Sequence, residues 1–308
     1  MTTSRTRALL TLGLVLAAAG AQFAAELGQP ASPLKPETWV KGKAIDLAEG
    51  KGKTVYVVEF WATWHGPCRA AIPHLTELQK RFAAQGVVFI GISDEPADKV
   101  KPFVEQMGDK MGYRVAVDTT RATHEAYLDA FGARGIPHAF VVDKNGNIAW
   151  HGHSMVGLDR TLEEILAGKF DLEAAKRSLH AEDLVPQYFA GASADRPEPR
   201  NKELGDQIVT GAARNPAFLN EFAWMILTDQ RVKSRDLGLA LRAAKLAYDD
   251  TAGNDSAIVD TYARAMFDNG RKAEAIKLQK EAIAVCKDER TRLQLQATLK
   301  EYEGARSR

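Results

Sequence analysis

Glu59-Phe60-Trp61-Ala62-Thr63-Trp64-His65-Gly66-Pro67-Cys68 is the stretch on which the fold turns. It joins two segments of opposite texture. Before it, Thr54 to Phe60 is a β-branched and aromatic run long enough for a buried strand. After it, Pro67 to Ala84 carries Ile72, Leu75, Leu78 and Phe82 at helical spacing. Pro67 suits the first turn of a helix, where its missing N–H costs nothing, and Pro73 is expected to bend it. The stretch is thus a strand-to-helix junction. Free backbone N–H groups and the helix dipole there favour an anion, so a thiolate at Cys68 would be stabilised.

Working outward, Val87 to Ile92 is expected as a second buried strand and Lys99 to Met107 as a helix. Tyr113 to Val117 follows as a short strand, and Arg121 to Phe131 as a helix. Ala139 to Asp143 and Asn147 to Trp150 flank Lys144-Asn145-Gly146, whose Asn-Gly pair marks a tight hairpin. Leu158 to Leu166 closes the unit as a helix. Alternating helices and strands ending in a hairpin imply a mixed sheet with helices on both faces. After about Gly168 the strand signal disappears. Phe170 to Phe189 is expected to be helical, and Gly191 to Asn201 reads as a linker. From Asn215 onward every segment reads as helix. Leu219, Phe222 and Ala223 are matched 40 residues later by Val259, Tyr262 and Ala263. Ala240 and Ala247 are matched 35 residues later by Ala275 and Ala282. Small residues facing bulky ones suit stacked helical hairpins. This pattern resembles tetratricopeptide repeats, with about five extra residues around Val232 to Asp236 in the first copy.

Composition bounds the function. The 308 residues are 45% hydrophobic and 26% charged, the make-up of a globular chain. Forty-one Lys and Arg against 40 Asp and Glu leave a formal charge of +1, which offers no bulk attraction for nucleic acid or an anionic membrane. Two cysteines exclude a disulfide framework and any four-thiolate zinc or iron–sulfur centre. Residues 1–21 read as an export signal: Arg5 and Arg7 precede the apolar run Ala8 to Ala19, and Ala19-Gly20-Ala21 suits cleavage. Loss of the two arginines moves the charge from +1 to −1. The mature chain is expected to be soluble, periplasmic or extracellular, in a compartment where thiols oxidise. The expected organisation is an extended lead-in over 22–36, an α/β unit over 37–168, a helical connector and linker over 169–214, and a helical-repeat region over 215–308.

The junction resembles the thioredoxin superfamily, in particular the exported TlpA/ResA-like thiol–disulfide oxidoreductases of the redoxin branch, whose pattern is Phe-Trp-Ala-x-Trp-Cys-x-x-Cys. The resemblance covers roughly 36–168 and has a second, separate support. Gly135-Ile136-Pro137 matches the cis-proline segment that lies against the active site in this superfamily. It implies a thioredoxin fold, protein thiols, disulfides or extended peptides as partners, and no cofactor. Cys68, His65 and Glu59 are the implied reactive group. Trp61, Trp64, Gly66, Pro67, Ile136 and Pro137 are the implied substrate groove. Glu59 stands where thioredoxins carry a buried carboxylate; read from the residues alone it could equally be a strand end facing water. The auxiliary Glu that many relatives carry three residues after the second cysteine is Ala71 here.

The departure falls at the nucleophile. Where the family has its first cysteine this chain has His65, and only the resolving-type Cys68 remains. Release of a substrate from a mixed disulfide needs a second sulfur, so a dithiol cycle within this motif is excluded by covalent formula. A single-thiol route requires an accessible Cys68 with His65 as its base; an inert, partly buried thiol is the competing expectation. The alternative function is a redox-inactive module that binds polypeptides by strand addition beside Ile136 and through the helical repeats. His65, Cys68, His138, His151 and His153 could converge on a metal, but no strict ligand spacing exists and no metal is expected. His74 and His124 read as solvated helix residues, and Cys286 as a small core residue.

Overall fold

The computed structural model describes residues 25–133, 135–194 and 199–305; the signal expected over 1–21 lies outside the described residues. Six strands form one sheet: β1 (Thr38–Lys41), β2 (Val55–Phe60), β3 (Val87–Ser93), β4 (Arg114–Val117), β5 (His138–Val142) and β6 (Ile148–Gly152), in the order β1-β4-β3-β2-β5-β6. β2, β3 and β4 are mutually parallel, while β1, β5 and β6 run antiparallel to their neighbours. β2 is central and buried at every residue, which is why it reads as an apolar run, interrupted only by Glu59, rather than an alternating one. Asn145 and Gly146 make the β5–β6 turn, with Gly146 at φ 83°. The Asp143 carboxylate accepts the Asn145 and Asn147 amides at 2.8 and 2.9 Å.

Helices cover both faces. Val55, Val57 and Trp61 meet α1 (Gly66–Phe82), α2 (Ala97–Met107) and α4 (Leu158–Leu166) in one buried layer. Tyr56, Val58 and Phe60 point the other way, as strand alternation requires, onto Tyr127, Leu128 and the lead-in residue Leu27. Tyr127 and Leu128 come from α3 (Ala122–His124) and the π-helical turn that continues it, Glu125–Asp129. α1 is begun by Pro67 and ends on Lys80 and Arg81, whose charge suits the negative end of the helix dipole. The arrangement is a thioredoxin fold, followed by an all-α region.

Two expectations change here. Both described ends of the segment 191–201, expected as a linker, are helical, and residues 195–198 lie outside the described residues. α5 (Leu172–Ser193) runs through its first residues, Gly191 and Ala192 are buried, and α6 (Arg200–Gly211) begins before it ends. A Cβ on Gly191 would sit 2.3 Å from the Asn201 Oδ1, so glycine there marks close helix approach, not a flexible joint. α5 also ties the sheet to the helical region: Leu172, Ala175 and Leu179 pack under the sheet, while Ala181, Tyr188 and Ala192 enter the helical core. Second, His124 is buried rather than solvated. It lies three and four residues before Tyr127 and Leu128, on the face that turns inward. Asp118 satisfies its Nδ1 at 2.9 Å, and Phe60 lies edge-on at 4.9 Å.

The helical region continues with α7 (Pro216–Thr228), α8 (Leu237–Thr251), α9 (Ser256–Asp268), α10 (Lys272–Val285) and α11 (Glu289–Gly304). Consecutive helices pack against each other. Leu219, Phe222 and Ala223 on α7, and Val259, Tyr262 and Ala263 on α9, are all buried. So are Ala240, Ala247, Ala275 and Ala282 on the intervening helices. The extra residues fall between α7 and α8, where Arg235 donates to the Ile226 and Asp229 carbonyls at 2.8 and 2.9 Å and so satisfies the end of α7. Among the described residues no helix is long and apolar enough to cross a membrane.

Candidate functional site

Cys68 is the third residue of α1, directly after the β2–α1 junction. The Thr63 N–H and Oγ–H both donate to the Glu95 carboxylate, at 2.6 and 2.8 Å, which fixes the turn that presents the helix. Gly66 and Pro67 are exposed at the helix start. Cys68 itself is not: its relative exposure is 1%. His65 caps the helix with backbone only, and its ring turns back over the thiol, Nδ1 to Sγ 3.0 Å. Trp64 stands 70% exposed with its ring 5.4 Å from the His65 ring, so it rims the site, whereas Trp61 is buried against Phe103.

Strand register brings the second motif to the first. β2 and β5 pair Phe60 with His138, which sets Ile136-Pro137 beside Trp61. The Ile136–Pro137 peptide is cis, Pro137 is buried, and Ile136 packs on the layer that contains Cys68 and Trp61. The groove residues taken from sequence therefore meet at one end of the sheet.

Beneath the thiol lies Glu59. It shares its sheet face with Val55 and Val57, is 1% exposed, and accepts a hydrogen bond from the Ser154 hydroxyl at 3.0 Å. Its second oxygen has no protein partner. Burial, partly opposed by Ser154, pushes its carboxyl up to about 8. Burial likewise pushes Cys68 up to about 11; a backbone hydrogen bond at Ala62 works against this and the Glu59 charge adds to it. The difference between 9.0 and about 11 is about 3 kcal/mol against the thiolate, more than the roughly 0.3–1 kcal/mol usual for a helix N-terminus. Burial wins, and Cys68 is a neutral thiol at pH 7. The anion-favouring junction expected from sequence is present, but its dipole is outweighed. Tyr113, buried close by, is pushed up by burial and by Glu59 and Cys68.

The histidines do not gather. His138 Nε2 and His151 Nδ1 are 3.0 Å apart on the β5–β6 hairpin, separate from the His65–Cys68 pair. Burial and the neighbouring His151 and His153 push His138 down to about 3, and burial pushes His151 down to about 4, so both are neutral. Among the described residues no group of three or more metal-capable side chains is assembled. Cys286 is buried just past α10, its Sγ 3.3 Å from the Asp288 carbonyl, and both cysteines are free. Ser154 and Glu95 escaped the sequence reading, and Tyr113 was read only as the start of a strand. Each belongs to a segment with no motif of its own, and only the fold places it here.

A helix-borne thiol facing a cis-proline loop at the end of a mixed sheet defines a thiol–disulfide oxidoreductase scaffold. The AhpC/TSA family model matches residues 27–151. The thiol-disulfide oxidoreductase ResA of Bacillus anthracis is 35% identical over 112 residues, 36% of this chain and 61% of that protein. Protein FixW of Rhizobium leguminosarum is 30% identical over 159 residues, 49% of this chain and 71% of that protein. A thioredoxin-family thiol:disulfide interchange protein from Chlorobium tepidum TLS, of known structure, is 32% identical, covering 46% of this chain and 98% of its own, at a TM-score of 0.39. The chain belongs to the family of ResA-like thiol–disulfide oxidoreductases. It spans about three-fifths of the length of the ResA proteins it matches.

Proposed function

We propose that this chain is an exported, thioredoxin-like protein with a degenerate His65-Gly66-Pro67-Cys68 site that binds polypeptides and performs no dithiol turnover. The observation that carries this reading is the state of Cys68, 1% exposed beneath the His65 ring. Reduction of a disulfide to two thiols takes two electrons from a pair of sulfurs, and this motif holds one. The groove beside Ile136 and Pro137 needs no sulfur to take an extended segment by strand addition. Residues 215–308, read as tetratricopeptide-like repeats, would supply further protein-binding surface. Export rests on the signal read over residues 1–21.

A second reading is single-cysteine exchange, favoured by the 3.0 Å His65–Cys68 contact. In it His65 Nδ1 takes the thiol proton and the thiolate attacks a substrate disulfide, releasing one substrate thiolate. An external thiol then breaks the mixed disulfide and regenerates Cys68. Insulin reduction by the wild type and by His65→Cys separates the two. Turnover in His65→Cys alone supports the binding reading; wild-type turnover that is lost in Cys68→Ala establishes the single-thiol enzyme instead.

A further inference from the structure

Beside the thiol site a cleft of about 300 Å³ opens between the sheet and the helical region. Its floor and walls are largely apolar and aromatic, with Trp150 and Val156 on one side and Phe170, Leu179 and Phe218 on the other. Strand pairing sets Gly152, which lines the cleft, opposite Ala139, two residues after Pro137. Ser154, hydrogen-bonded to Glu59 beneath the thiol, sits in the same loop as His153, Val156 and Gly157, which line the cleft. His153 in turn lies within electrostatic reach of both His65 and Glu221. Apolar surface continues outside the mouth through Met155 (46% exposed) and, one helical turn past Glu221, Trp224 (40%).

The charge around this apolar groove is one-sided. Its two arginines are already committed. Arg160 binds Glu164 at 3.0 Å and reaches Asp250 on α8, and Arg214 lies 3.5 Å from Glu164 and 3.7 Å from Asp171. Glu182 and Glu221 are left with no lysine or arginine at ion-pair distance among the described residues; burial and the neighbouring Asp183 and Glu221 push the Glu182 carboxyl up to about 7, and a cation seated beside it would favour its ionised form. The one hydrogen bond recorded to either is from Asn215 Nδ2 to Glu182, at 3.4 Å. Burial lowers the affinity of His153 for a proton, so it adds no fixed positive charge. Aromatic walls with two uncompensated carboxylates complement a cation on an aliphatic stem.

We propose that this cleft is a specificity pocket for a lysine or arginine side chain of an extended polypeptide lying across the Ile136–Pro137 groove. The inference rests on the polypeptide-binding reading above and adds to it the substrate class: segments that are apolar with one basic residue.

The test uses the full chain and labelled nonapeptides of alanine, valine and serine with a central lysine, norleucine or glutamate, read by fluorescence anisotropy. The lysine peptide is expected to bind about tenfold tighter than the norleucine peptide, and the Glu182→Gln/Glu221→Gln variant to reduce that ratio to about one. Equal binding of all three peptides overturns the pocket and leaves the groove standing. If no peptide binds, the polypeptide-binding reading fails, and the pocket is decided separately with n-butylguanidinium followed by NMR. Shifts around Phe218 that vanish in the double variant support the pocket; no shifts, or shifts unchanged by it, overturn it. Removing a carboxyl that burial and neighbouring acids raise cannot weaken the fold, so the variant is expected to melt at or above the wild-type temperature, and that measurement serves as the folding control.

Discussion

Glu59→Gln isolates the cost of burying a carboxyl under Cys68. In the wild type the group is raised from 4.5 to about 8, with Ser154 as its one recorded hydrogen-bond partner. An acid whose folded pKa is raised keeps its proton longer folded than unfolded, so its effect on stability is least harmful below 4.5 and worsens as pH rises toward 8. At about 1.36 kcal/mol per unit, the chain loses about 3 kcal/mol between pH 4.5 and 7, and about 5 kcal/mol by the time the folded group has ionised. Glutamine keeps the shape and the acceptor for Ser154, and does not titrate. Its amide nitrogen meets the same partnerless position as the second oxygen does now. The variant is therefore expected to be about 3 kcal/mol more stable than wild type at pH 7, with the difference vanishing near pH 4.5. Paired urea unfolding curves at half-unit pH steps from 4.5 to 8.5, followed by tryptophan fluorescence, measure this. Parallel stability profiles for the two proteins across that span would refute the buried acid. The carboxylic-acid stretch in the infrared, lost in the variant at pH 7, gives an independent reading.

Three further outcomes follow from the same packing. Iodoacetamide should label native Cys68 at pH 7 at least about a hundredfold more slowly than a free thiol, with a rate still rising at pH 10, and His65→Ala should speed it by uncovering the sulfur; fast labelling of the wild type by mass spectrometry contradicts the site described above. Gly91→Ala should cost about 1–3 kcal/mol in thermal unfolding, because its Cβ would stand 2.9 Å from Trp61 Nε1 and 3.1 Å from the Tyr113 ring, and an unchanged melt would mean these rings move freely. Ala282→Leu should cost a similar amount, about 1–3 kcal/mol, in the unfolding transition of the helical region, since the position is fully buried where helices approach closely; a neutral result would mean the region is loosely packed.

How much could be read in advance depended on whether a feature is local. β2 and β3 were legible because both sides of the sheet are covered, which leaves mostly apolar runs with Glu59 as the exception in β2. β1 was not: Thr38–Lys41 is a four-residue edge strand, half-buried throughout, whose place is fixed by pairing with β4, with Thr38 opposite the distant Val117. His124 carried its own signal, the spacing to Tyr127 and Leu128, but a polar residue on an apolar stripe is easily assigned to solvent when its buried partner, Asp118, lies outside the helix. The motif residues from Glu59 to Cys68 could be named from sequence; their chemistry could not. The burial of Cys68 comes from the layer it shares with Trp61 and Ile136, and the state of Glu59 from its burial, opposed by Ser154, which is 95 positions distant.

That distinction bears on why the missing first cysteine matters beyond the loss of one sulfur. For Cys68 to attack a disulfide at pH 7 it must first ionise, which from about 11 costs about 5 kcal/mol, or about four orders of magnitude in rate. It must then be reached, and Cys68 is 1% exposed with His65 Nδ1 3.0 Å from its sulfur. In a dithiol relative the outer position is the reactive one and the inner sulfur needs only to meet its neighbour. Here the inner position would have to do the outer one's work without the outer one's access. The two obstacles are coupled, because moving His65 aside admits water as well as substrate, and hydration of the thiolate removes part of the ionisation cost. A polypeptide that displaces His65 on docking beside Ile136 should therefore raise Cys68 alkylation at pH 7 in proportion to its occupancy. A ligand that binds the groove and leaves the alkylation rate unchanged would show that His65 does not gate the thiol.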